Sequence, residues 1–141
     1  MNINLETWRH QLQSRSHKAT TSRLAVLTAL QQTKQPLSVQ RLMELLSRNH
    51  FDQATVYRTL ATLKHLGLVR QIEWQHGHAH YELASLGDHH HVICRQCHSV
   101  EDVRECNLES MTRRALRQSG FAEITEHSLE FFGLCQKCKP R

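Results

Sequence analysis

Between His80 and Cys97 the chain reads HYELASLGDHHHVICRQC, with four histidines, two acids and two cysteines in eighteen residues. These side chains support two kinds of metal chemistry. Cys94 and Cys97 form a CxxC pair, and Cys135 and Cys138 form a second one about forty residues later. Two thiolates spaced by two residues grip one side of a tetrahedral ion, and a second such pair completes the shell. The spacing therefore predicts a structural zinc held by Cys94, Cys97, Cys135 and Cys138. A redox-active CxxC is the weaker reading, because two pairs occur and no thioredoxin-like strand and helix flank either. Cys106 is left over and is expected to be an ordinary helix-start or core residue.

The imidazoles and carboxylates make a harder set. HAHYEL alternates with period 2, so His78, His80 and Glu82 share one strand face while Ala79, Tyr81 and Leu83 share the other. Gly87-Asp88 bends the chain. In the following HHHVIC strand, His89 and His91 point to one side and His90 to the other. One short segment can thus feed two separate sites. A metalloenzyme is a rival reading, with an open-coordination zinc and a carboxylate as general base. It lacks an HExxH helix to fix the site, so no enzyme is expected. A zinc-stapled protein that binds other proteins is a third class.

The elements that must position these residues differ between the two halves. The chain has 141 residues and net charge +5. Residues 1–76 carry ten Lys/Arg against four Asp/Glu, whereas residues 77–141 carry eight against nine. Eight of the twelve histidines lie from His76 to His127. A basic first half suggests a polyanion partner. No apolar run is long enough for a membrane span, and the start of the chain lacks a signal-peptide core, so a cytoplasmic protein is expected.

In the basic half, Leu5, Trp8 and Leu12 have helical spacing. TTSRLAVLTALQQ repeats Leu24, Leu27 and Leu30 with Ser22 as its cap, and Ser38 caps a helix carrying Val39, Leu42, Leu45 and Leu46. Asp52 is the N-cap for QATVYRTLATLKHLG, whose Val56, Leu60, Leu63 and Leu66 form one face and which stops at Gly67. Two strands, LVRQIEW and HAHYELA, follow around a His76-Gly77 turn. Helices followed by a two-stranded ribbon predict a winged helix-turn-helix, with Thr55, Tyr57 and Arg58 facing the major groove. In the second half, SVEDV is a strand and NLESMTRRALRQSG a helix capped by Asn107. ITEHSLEFFGLC is read as a strand with Thr125, His127, Leu129 and Phe131 on one face. Its phenylalanines and exposed edges suit a dimer seam. The fold class is α+β, with a winged-helix DNA-binding domain over 1–84 and a small α/β metal-binding dimerisation domain over 85–141.

KATTSR, ATVYRTL, HYEL, HHHVICRQC and HSLEFFGLC followed by QKC stand in this order over roughly residues 15–138. The ordered set resembles the ferric uptake regulator family of metal-dependent repressors. That resemblance implies a homodimer that represses metal-homeostasis genes from a palindromic double-stranded DNA operator, with no small organic ligand. It matches Cys94, Cys97, Cys135 and Cys138 to the structural zinc. It matches Glu82, His89, His91 and Asp102 to the regulatory metal, and Asp88, His90, Glu109 and His127 to an additional site in which histidine and aspartate are exchanged. Tyr57 and Arg58 match DNA-contacting positions, and Lys18 and Arg23 match basic positions of the family's N-terminal segment, expected to add DNA contacts. One family ligand is missing, because Pro36 stands where a histidine is usual. His80 or His78 from the wing is the expected replacement. The resemblance leaves Fe(II) as the first expectation for the sensed ion. Zn(II), in a zinc-uptake repressor, is the alternative, and Mn(II) is also compatible with N/O donors.

Overall fold

The structure is a computed structural model that describes residues 4–74, 78–87, 89–104 and 107–140. The His76-Gly77 turn, Asp88 and Cys106 lie outside the described residues. The chain divides into two compact units, Met1–Leu86 and Gly87–Arg141. No described helix is long and apolar enough to cross a membrane.

The first unit is helical with a small sheet. Helices α1 (Leu5–Ser14), α2 (Thr21–Thr33), α3 (Val39–Leu45) and α4 (Gln53–His65) are followed by strands β2 (Val69–Glu73) and β3 (Ala79–Leu83). The expected caps form at Ser38, whose hydroxyl accepts from the Arg41 N–H, and at Asp52, which accepts from the Thr55 N–H at 2.7 Å. These bonds satisfy amides that a helix start leaves unpaired. Gly67 follows α4 with φ 71°, a left-handed conformation that glycine adopts without a Cβ clash. The cap of α2 differs from expectation. Thr20 accepts from the Arg23 N–H, and Ser22 instead hydrogen-bonds Thr59 of α4 at 3.2 Å. The core that results is built from leucines of every helix, with Trp8, Leu12, Leu27, Leu30, Leu42, Leu60 and Leu63 almost completely enclosed. The Trp8 indole N–H donates to Gln31, which satisfies its one polar atom and ties α1 to α2.

The ribbon gains a third strand that the periodicity did not predict. Leu37–Ser38, β1, pairs antiparallel with β3, giving the order β1-β3-β2. A two-residue strand carries no readable alternation. Its register sets Leu37 opposite Tyr81 and Ser38 opposite His80.

The second unit is a three-stranded sheet, β4 (His90–Cys94), β5 (Val100–Val103) and β6 (Glu130–Gly133), in the order β5-β4-β6, with helix α5 (Leu108–Gln118) capped by Asn107. Strand β4 runs antiparallel to β5 and parallel to β6. The last strand is shorter than the sequence pattern suggests. Only Glu130–Gly133 has a ladder partner, and residues 125–129 have no regular structure. Few side chains are enclosed in this unit. Ile93 and Cys94 are buried apolar groups, α5 buries none of its residues, and Val92, Met111, Phe121, Phe131 and Leu134 are exposed.

Candidate metal centres and nucleic-acid interface

Cys94 ends β4, and Cys97 lies three residues on in a turn. Beyond β6, the turn that holds Cys135 and Cys138 closes with the Cys138 N–H donating to the Cys135 carbonyl at 3.0 Å. The four sulfurs lie within 4.8 Å of one another, and Cys97 and Cys135 are 3.7 Å apart, sulfur to sulfur. A tetrahedral ion with Zn–S bonds of about 2.3 Å needs sulfurs roughly 3.8 Å apart, so the arrangement fits zinc. The four thiols are not equivalent. Backbone N–H groups of Cys135 and Cys97 hold Cys94 down to about 6. Hydrogen bonding from Ser99 lowers Cys97. Hydrogen bonding to Cys135, with burial, pushes Cys138 up to about 12. One thiolate thus forms readily and the last only at a cost that a dication would remove.

A second group of ligand-type side chains surrounds His91, in the middle strand of the sheet. The register sets His91 opposite Asp102 of β5 on one side and Glu130 of β6 on the other. The His91 Nε2 is 3.9 Å from Asp102, and its Nδ1 is 3.2 Å from Glu130. The His89 ring stands edge-on to His91 at 4.8 Å, with its Nδ1 3.0 Å from the Gly87 carbonyl. A carbonyl or carboxylate can only accept, so Nδ1 is the donor in each of these contacts, which leaves Nε2 as the ligand-type atom of each ring. Sequence reasoning missed Glu130. Its only signal, a carboxylate in a strand, says nothing about which histidine it meets.

His90 points to the opposite side, as alternation requires. Its Nδ1 is 3.1 Å from the Leu129 carbonyl, its ring is 5.4 Å from that of His127, and its buried Nε2 has no hydrogen-bond partner. A buried nitrogen left unpaired beside a second imidazole fits a ligand. Glu109 is not brought within coordinating distance of this pair among the described residues, and it ion-pairs with Arg113 on its own helix.

In the first unit, Glu82 is buried on β3 and accepts from Arg70 of β2 at 2.6 Å. His80 stacks on Trp74 at 3.8 Å, and its Nδ1 is 3.0 Å from the His78 carbonyl, so its ring lies along the wing.

The reader helix α4 leaves Tyr57 half exposed and Arg58 exposed, with the guanidinium 3.4 Å from the Thr55 hydroxyl. Tyr57, Arg58, Lys64 and His65 line a cavity of about 650 Å³ with Gln71 and Tyr81 of the wing strands. Arg23 donates to the Lys18 carbonyl at 2.6 Å, which holds these two basic residues together.

A model described as the Ferric uptake regulator family matches residues 14–132. The chain belongs to the ferric uptake regulator family. It is 34% identical over 123 residues to the ferric uptake regulation protein of Cupriavidus metallidurans, covering 85% of each chain. It is 32% identical over 124 residues to the zinc uptake regulation protein of Mycobacterium tuberculosis, covering 86% of this chain and 95% of that one. The solved Helicobacter pylori ferric uptake regulator Fur, described as having three functional metal binding sites, superposes with a TM-score of 0.81 at 20% identity. That match covers 99% of this chain and 96% of that one, and it establishes the fold, a helical winged region followed by a mixed α/β region. Proteins of the ferric uptake regulator family are metal-dependent transcriptional repressors that bind DNA as dimers, so the metalloenzyme reading is excluded.

Proposed function

We propose that this family member is an iron-responsive repressor of metal-homeostasis genes. In this reading a structural zinc sits on Cys94, Cys97, Cys135 and Cys138, and a regulatory ion on Glu82, His89, His91 and Asp102. The observation that carries it is the group in the second unit: two buried imidazoles, His89 and His91, each with Nδ1 beside an acceptor, and the Asp102 carboxylate next to His91. No thiolate belongs to that set, and N/O donors suit Fe(II) as well as borderline metals. Glu82 precedes His89 by seven residues in the chain. Pro36, the residue before β1, offers no donor. His80 is held in its stack on Trp74, so we assign the site four donors without a wing histidine. When bound, the ion supplies positive charge that draws carboxylates and imidazoles together. Glu82 would then be shared with Arg70, with which it pairs here, and His89 and His91 would offer ring nitrogens. His90 and His127 serve an additional site, supported by the unpaired Nε2 of His90.

On the DNA side, Tyr57 and Arg58 reach base edges and phosphates from α4, Thr55 orients Arg58, and Lys18 and Arg23 add phosphate contacts. The operator is a palindrome read by a homodimer. Val92 and Phe131, opposite each other in the β4–β6 register and both exposed, support a second copy covering that face of the sheet.

Zinc as the sensed ion is a second reading, favoured by nearly equal identity to the zinc and ferric uptake regulation proteins named above. The test is operator binding at buffered Fe(II) and Zn(II), with His89→Ala as control. Half-saturation at micromolar Fe(II) with no response to picomolar free Zn(II) supports iron, and the reverse supports zinc. Metal-independent binding by both wild type and His89→Ala would remove the regulatory site.

A further inference from the structure

We propose that Glu130 is a positioning residue for the regulatory ion, acting through His91. The proposal rests on the reading of His91 as a ligand. The parallel β4–β6 register brings Glu130 beside His91, thirty-nine residues away in sequence. One carboxylate oxygen, Oε2, accepts both the His91 backbone N–H at 3.2 Å and the ring Nδ1–H at 3.2 Å. A carboxylate has no proton to give here, so the ring is locked as the tautomer whose lone pair is on Nε2.

The ring has no freedom to choose another orientation. His91 is 1% exposed, and its two nitrogens face different strands: Nδ1 faces Glu130 on β6 and Nε2 faces Asp102 on β5. An ion at Nε2 lies across the ring from Glu130, so Glu130 and Nε2 cannot ligate the same ion. The carboxylate acts instead on the histidine. It fixes the ring plane, selects the tautomer and makes Nε2 a stronger donor. Partners of this kind typically change metal affinity by about 10–100-fold when removed.

The backbone bond adds a second consequence. Because Glu130 holds both the main chain and the ring of His91, the donor direction depends on the β4–β6 register. A slip of one residue would turn Glu130 to the other face of the sheet.

The test uses the full chain with zinc already on the four cysteines and Co(II) as the probe of the regulatory site, followed by its d–d absorption. Glu130→Ala is expected to bind Co(II) about 10–100-fold more weakly with unchanged band positions. Glu130→Gln is expected to fall between it and wild type, since the amide oxygen still accepts but carries no charge. It decides the matter if the alanine variant does not fold. Affinities of the folded variants within threefold of wild type, even with a lowered urea midpoint, would make Glu130 a structural residue only and overturn the proposal. Shifted band positions and a lost ligand would also overturn it, by making Glu130 a ligand. His91→Ala run in parallel separates the two levels. If it abolishes tight Co(II) binding while the Glu130 variants do not weaken it, the proposal fails and the site reading stands. If His91→Ala binds as wild type does, the site reading fails and the proposal with it.

Discussion

Replacing Arg58 with alanine isolates the electrostatic part of DNA recognition. Arg58 lies in the second turn of α4, exposed, with the Thr55 hydroxyl as a weak tether and the Asp52 cap one turn earlier. It is therefore aimed from a well-ordered frame, and truncating it should not disturb the core behind it, which Val56, Leu60 and Leu63 supply. If each Arg58 of a dimer neutralises one phosphate, the loss reduces the slope of log K against log salt by about 1.8, at about 0.9 per phosphate. If the two lines meet at 1 M salt, where the counterion-release contribution vanishes, the loss is about 200-fold at 50 mM salt and about 20-fold at 200 mM. At 150 mM it is about 30-fold, or roughly 2 kcal/mol. The measurement is fluorescence anisotropy of the metal-loaded protein on a palindromic operator selected from a random pool, at four or more salt concentrations. Arg58→Lys should keep the slope, because it keeps the charge, while losing any bidentate base contact. A parallel, lower line for Arg58→Ala would refute the phosphate assignment and place the guanidinium on a base edge. Coincident lines would take Arg58 off the DNA.

Two further perturbations probe the zinc staple and the frame of the reader helix. Cys138→Ser should lower zinc content after mild chelation from about one ion per chain to none, because three thiolates do not close a tetrahedral shell; retention of zinc and an unchanged melting curve would exclude Cys138 as a ligand. The Asp52 carboxyl is held below its ordinary value by hydrogen bonds from the Thr55 hydroxyl and amide. Its contribution is therefore complete above the pKa of the unfolded chain and disappears as pH falls through the lower folded value. Tryptophan-detected melting reports the first unit, since Trp8 and Trp74 are the only tryptophans. On acidification the advantage of wild type over Asp52→Asn should shrink, and a gap that widens would contradict the capping argument.

The features legible in the sequence are those set by neighbours three or four residues away. The Asp52, Ser38 and Asn107 caps each rest on a side chain reaching an amide three positions on, and each forms as expected. The α2 cap shows the limit of that logic. Thr20 and Ser22 are both hydroxyl residues at the right place, and the tertiary bond from Thr59 to Ser22 distinguishes them. Alternation correctly separated His89 and His91 from His90, because period 2 is a property of any strand. The length of the last strand was not legible, because a ladder ends where its partner ends, and β4 pairs with β6 only from His91 to Cys94. Glu130 was invisible for the same reason: a parallel pairing across thirty-nine residues leaves no local pattern. The stack of His80 on Trp74 left no local signal either, since it depends on where the ribbon folds.

Strand β4 also explains why the cysteine staple and the histidine site occur together in so small a unit. Its first half carries His90 and His91, and its last residue is Cys94. Parallel to it, β6 begins with Glu130 and leads directly into Cys135. The two strands therefore have imidazole and carboxylate at one end and thiols at the other. With only Ile93 and Cys94 as buried apolar residues among those described, this unit has little hydrophobic burial to fix the register of two short strands. An ion cross-linking Cys94 and Cys135 would supply that constraint, and the Cys135 N–H already donates to the Cys94 sulfur. A register fixed at the cysteine end is transmitted along three or four residues of ladder to the His91–Glu130 pair. In the proposed reading the structural ion and the regulatory donors would thus be consecutive demands on the same two strands: an ion on the cysteines would hold one end so that His91 is presented at the other.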